Sequence, residues 1–94
     1  MSVSLDFSVL EGAEKILSSE EMLRMGLAAS TPGGDTEFNL ITAHKWFNLA
    51  AMQGSREARV YRSELTVEMT PEEIAEAQKQ AREFLAARRP AYLG

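Results

Sequence analysis

With 94 residues and no cysteine, the chain is long enough for one compact domain, too short for two, and lacks both a disulfide framework and a thiolate metal cage. Hydrophobic residues make up 45% and charged residues 26%, the balance of a folded protein rather than a disordered one. The net charge of −4 offers no basic footprint for nucleic acid and no cationic face for acidic lipid.

The opening Met1-Ser2-Val3-Ser4-Leu5-Asp6-Phe7 has no Lys or Arg and no long apolar run, so a secretory signal is not expected there. No stretch approaches the roughly 20 apolar residues of a membrane-spanning helix, and a cytoplasmic location is the expectation. Ser8 and Glu11 fit a capping box, with Leu10, Ala13 and Leu17 on one face, so the N-terminal segment 1–17 is expected to include a short leading helix.

Ser18-Ser19-Glu20-Glu21 repeats the capping-box pattern ahead of Met22, Met25, Gly26 and Ala29, which predicts a helix whose methionines belong to the core. Thr31-Pro32-Gly33-Gly34-Asp35 then breaks the helical pattern. Asn39 is a good N-cap for a second helix with Ala43, Trp46, Phe47, Ala50 and Ala51 on one side. Gly54 ends that helix and Ser55 caps a third, running to about Glu68, with Ala58, Tyr61, Leu65 and Met69 as its apolar stripe. So short a connection makes the second and third helices antiparallel neighbours. Thr70-Pro71-Glu72-Glu73 supplies a cap, a proline at the first helical position and a reciprocating carboxylate. The helix it starts is predicted over about 71–88, with Ile74, Ala77, Ala81, Phe84 and Leu85 inward, a Lys79–Glu83 pair outward, and a stop at Pro90. No stretch alternates like a strand, so the fold class is all-α.

The helices repeat. Glu21-Met22 can be laid over Glu57-Ala58, and Asn39, Ala43, Trp46 and Ala50 over Thr70, Ile74, Ala77 and Ala81, giving helix pairs at about 19–53 and 55–88 and a short tail at 90–94. Self-similarity at about 34–45 residues marks helix-pair solenoids. Met25-Gly26, Asn39, Ala43, His44-Lys45-Trp46-Phe47-Asn48, Ala50-Ala51 and Gly54 resemble the Sel-one-like repeat, a branch of the tetratricopeptide superfamily, and the segment from Met69 to Phe84 resembles the closing helix of its short bacterial members. The resemblance covers a domain at 18–89 and implies antiparallel pairs stacked as a short α-α superhelix that acts as a protein-binding scaffold without cofactor or catalysis. Arg62 departs from the pattern, standing where the second unit would carry a small glycine. Two units also fall short of the three or so that solenoids usually need, which points to self-association or to help from the N-terminal segment.

The expected structural core is Gly26, Ala43, Trp46, Phe47, Ala50, Gly54, Leu65, Ile74, Ala77, Ala81 and Phe84. Enclosed aromatic side chains bury about 150–250 Å² each, and on that basis Trp46→Ala is expected to cost roughly 3–5 kcal/mol. His44 is the single histidine. Without a second His or a Cys it makes neither a metal site nor a catalytic dyad, and it is expected to pack at the surface or half-buried. Pro32-Gly33-Gly34-Asp35-Thr36 lacks the preceding strand and closing Gly-Lys-Ser/Thr of a phosphate loop. The Glu20-Glu21 and Glu72-Glu73 pairs are explained by capping and helix dipoles. Arg56, Arg59 and Arg62 form a stripe that is either a solvated face, the favoured reading, or a dock for an acidic peptide or nucleic acid. Partner contacts are assigned to Arg24, Asn48, Arg59 and Arg62. The expected partner is another protein or peptide, or a second copy, with no nucleic acid and no membrane. The rival readings are a small helical DNA-binding regulator and a self-associating structural subunit.

Overall fold

The computed structural model describes residues 17–88. The leading helix expected within 1–17 and the stop at Pro90 lie outside these residues, apart from Leu17 itself. Among them the fold is all-α, with four helices: α1 (Ser19–Ala29), α2 (Leu40–Met52), α3 (Arg56–Thr66) and α4 (Pro71–Ala87).

Each helix begins where local chemistry says it should. The Ser18 hydroxyl accepts from the Glu21 N–H at 3.1 Å while the Glu21 carboxylate accepts from the Ser18 N–H at 2.8 Å. Thr70 and Glu73 do the same for α4 at 3.1 and 2.9 Å. Asn39 accepts from the Thr42 N–H at 3.1 Å and Ser55 from the Ala58 N–H at 3.0 Å. Each cap satisfies a backbone donor that the helix cannot, contributing about 1 kcal/mol.

Two connections set the topology. The Asn39 N–H donates to the Ala29 carbonyl at 2.9 Å, closing the exposed loop after α1 and bringing the start of α2 beside the end of α1. After α2 the Ser55 N–H reaches the Ala50 carbonyl at 3.1 Å and the Gly54 N–H the Ala51 carbonyl at 3.0 Å, with Gly54 at φ +101°. This is a Schellman ending, which needs a positive φ that glycine adopts without strain. Gly54 itself is exposed, with open space where a Cβ would be. It serves the turn and does not belong to the core, a correction to the expectation from sequence.

α2 is the hub. α1, α3 and α4 each pack on it, whereas α3 and α4 barely touch one another. Ala43, Phe47, Leu49 and Ala50 of α2 are buried, together with Met22, Gly26 and Ala29 of α1, Ala58 of α3, and Ala77 and Ala81 of α4. Small residues dominate this set because three helices crowd one axis and their backbones must come close. Gly26 lies against Phe47 so tightly that a Cβ there would stand 2.5 Å from the ring. The ring also stacks on Tyr61 of α3, with ring centroids 5.3 Å apart.

Trp46, Leu65, Ile74 and Phe84 are only partly buried, although Trp46, Leu65 and Phe84 pack against the core. For Trp46 this corrects the expected enclosure: its indole meets the edge of Phe84 at 5.1 Å and lies under the Lys45 ammonium at 4.3 Å. The Arg88 guanidinium covers Phe84 at 4.4 Å. The Trp46–Phe84 edge contact, with the Lys45 ammonium 6.0 Å from the Phe84 ring, ties the end of α4 to α2. Lys79 and Glu83 pair on the exposed face of α4 at 3.7 Å, a contact of little energetic weight.

α3 is shorter than expected, giving way to a turn after Thr66; Met69 is buried at 8% exposure within that turn and seats α4.

Candidate functional site

An open groove of about 480 Å³ lies between α1 and α2. Leu17, Glu21, Arg24, Met25 and Ala28 form one wall, Thr36 closes the loop end, and Thr42 and Trp46 form the other wall. The spacing of Glu21, Arg24, Met25 and Ala28 at i, i+3, i+4 and i+7 places them along one side of α1. Met25 is 39% exposed, so it lines a surface groove rather than filling the core as the sequence suggested, while Met22, one turn earlier, is buried. Arg24 is exposed and has no ion-pair or hydrogen-bond partner among the described residues. The groove is thus an apolar trough, partly floored by an indole, with a guanidinium on its rim.

The four residues assigned to partner contact do not share a surface. Arg24 lies at the α1–α2 groove. Arg59 and Arg62 border one shallow depression on the outward side of α3 with Arg56, Val60 and Ser63. Arg62 and Asn48 are occupied with each other: the guanidinium donates to Asn48 Oδ1 at 2.6 Å, bridging α3 and α2. The Arg62 head group thus has its partner on the hub helix.

No protein-family model, no characterised protein and no solved structure matches this chain.

His44 was expected at the surface or half-buried and is instead buried, at 3% exposure. Its Nδ1 has no hydrogen-bond partner. Burial, and then the Arg62 charge, hold its pKa below the usual 6.5, since both disfavour the imidazolium. The unfolded chain therefore binds a proton more readily than the folded one below pH 6.5. Stability contributed by a neutral His44 is retained above that value and falls as the pH drops from 6.5 toward the lower folded value. The melting temperature is expected to fall between about pH 7.5 and about pH 5.5, and to fall less in His44→Leu, which is neutral or stabilising at the higher pH because it removes an unpaired buried polar atom. Thermal melts of both proteins at the two pH values check this. Equal pH dependence in both would refute it.

Among the described residues no group of three or more His, Asp or Glu side chains is placed to hold a metal ion, and no helix is long and apolar enough to cross a membrane. The groove was absent from the sequence reading because Met25 and Trp46 look like core residues by type. The available signal was Arg24 beside Met25, a cation next to an apolar residue on a helix that already had Met22, Gly26 and Ala29 for its buried face.

Proposed function

We propose that this protein is a non-catalytic, cytoplasmic protein-interaction module of the Sel-one-like, tetratricopeptide-related kind, with its helix pairs stacked as a short superhelix. Its α1–α2 groove takes an apolar side chain of a partner protein, with a partner carboxylate meeting Arg24. The observation that carries this reading is the groove itself: an open apolar trough of about 480 Å³ with Trp46 on its wall and an unpaired guanidinium on its rim. The exposed Met25 thioether adapts to varied apolar groups through its flexibility, and the partly buried Trp46 indole offers them a rigid apolar surface. A rim arginine selects and steers an acidic partner more than it adds affinity.

Trp46 is the single tryptophan of the chain, so its emission reports directly on the groove. Proteins retained by the immobilised wild-type chain are expected to be lost from a Met25→Glu/Ala28→Arg variant, which fills the trough with charge. Because Met25 is already exposed and Ala28 only partly buried, the melt of that variant is expected to move little. A purified partner should shift the Trp46 emission of the wild type and leave that of the variant unchanged. An identical retained set for both proteins, or a partner that binds without moving the emission, would rule the groove out.

A further inference from the structure

The outward side of α3 is a second surface that shares no lining residue with the α1–α2 groove. Arg56, Arg59, Val60 and Ser63 follow at i, i+3, i+4 and i+7 and so share one helix face. With Arg62 they border a shallow depression of about 390 Å³. Val60 is 57% exposed, and Val67, one turn beyond Ser63, is 85% exposed. α2 is the helix on which α3 packs, and this face points away from it.

The depression is lined by three arginines and no carboxylate, and three observations describe it. Arg56 and Arg59 have no ion-pair or hydrogen-bond partner for their guanidinium groups among the described residues, in a chain with 14 acidic and 10 basic residues and with Glu57 and Glu64 on the same helix. Arg56 is also the first residue of α3, where the helix dipole disfavours a cation. Glu57 in the same turn gives this helix start the carboxylate that Glu20, Glu21, Glu72 and Glu73 give α1 and α4, while Arg56 borders the depression. Finally, the Arg62 guanidinium is held by Asn48 at 2.6 Å, so one cation at the edge of the depression is fixed before any ligand arrives, which lowers the ordering cost of binding.

We propose that the outward face of α3 docks an acidic peptide segment of another protein, with carboxylates on Arg56 and Arg59 and an apolar side chain on Val60. Arginine forks suit carboxylates, which they bind in a bidentate manner. A nucleic acid would find two cations without partners among the described residues beside an exposed valine, not the extended basic track that polyphosphate needs. This inference does not rest on the groove, because its residues are different.

The test is a random-peptide display selection against the immobilised full chain. Recovered peptides are then labelled and titrated against wild type, Arg56→Glu/Arg59→Glu, Val60→Asp and Met25→Glu. Arg56→Glu gives the helix start the charge its dipole favours, so the melting temperature of the double variant should hold or rise, and lost binding then reports contact rather than unfolding. The expected result is a set of peptides rich in Asp and Glu whose affinity weakens with salt and drops about tenfold or more in both α3 variants. The same peptides should bind Met25→Glu as they bind wild type, which separates this surface from the groove. Recovery of no acid-rich peptide would overturn the proposal, as would affinity that survives the charge reversal. So would retention of a labelled DNA duplex that the same reversal removes, or self-association in sedimentation that depends on these arginines.

Discussion

Phe47→Ala is expected to cost about 3–5 kcal/mol, the range for emptying a fully enclosed aromatic site. Phe47 is 0% exposed, with its ring pressed against the backbone of Gly26 and stacked on Tyr61. It therefore joins α1, α2 and α3, and its removal leaves a cavity between three helices that cannot all close in together. Against a total stability of about 5–15 kcal/mol, this loss removes a large fraction, and nearly all of it at the lower end of that range. For a domain of this size it should lower the melting temperature by roughly 12 °C or more. Trp46→Ala should cost less, because the indole is only partly buried and one side faces the groove. Chemical denaturation of both variants orders them. A larger loss at Trp46 than at Phe47 would show that the packing centre has been misplaced.

Gly26→Ala should destabilise even though alanine is the better helix former by about 1 kcal/mol. An added Cβ would sit 2.5 and 2.6 Å from two Phe47 ring carbons, closer than atoms in packed proteins approach. The ring is enclosed and cannot swing away, so the helices must separate. Overpacking of this kind costs about 1–3 kcal/mol, so once the helix-propensity gain of about 1 kcal/mol is subtracted the net loss should reach up to about 2 kcal/mol. A double-mutant cycle isolates the cause. In a Phe47→Leu background, which removes the outer ring carbons, the Gly26→Ala penalty should shrink by at least about 0.5 kcal/mol. An unchanged penalty in that background would mean that Gly26 is needed for some reason other than the ring.

The two predictions concern a contact whose halves were separately visible in the amino-acid pattern. Gly26 stood out as small and Phe47 as bulky, each on the apolar side of a predicted helix, but nothing in the spacing said that one would face the other. Met25 and Trp46 show the limit of residue type as a guide. Both are apolar, and both end on the walls of an open groove. Arg62 and Asn48 show the same limit for polar residues: each was a reasonable contact for an outside partner, and they bond to each other.

What the chain of residues determined by itself is the set of helices and their starts. Ser18, Asn39, Ser55 and Thr70 cap within three residues of themselves, and Gly54 turns the chain through its own backbone freedom. Such interactions are complete within a few positions and need no distant partner. The tertiary structure alone decided what lies inside. α2 has neighbours on three sides, so its buried residues, among them Ala43, His44, Phe47, Leu49 and Ala50, wrap around the helix rather than forming one stripe. A helix with one apolar face can be read from its period, but a central helix is apolar nearly all round. Which of its sides stays covered depends on where the other three helices come to rest.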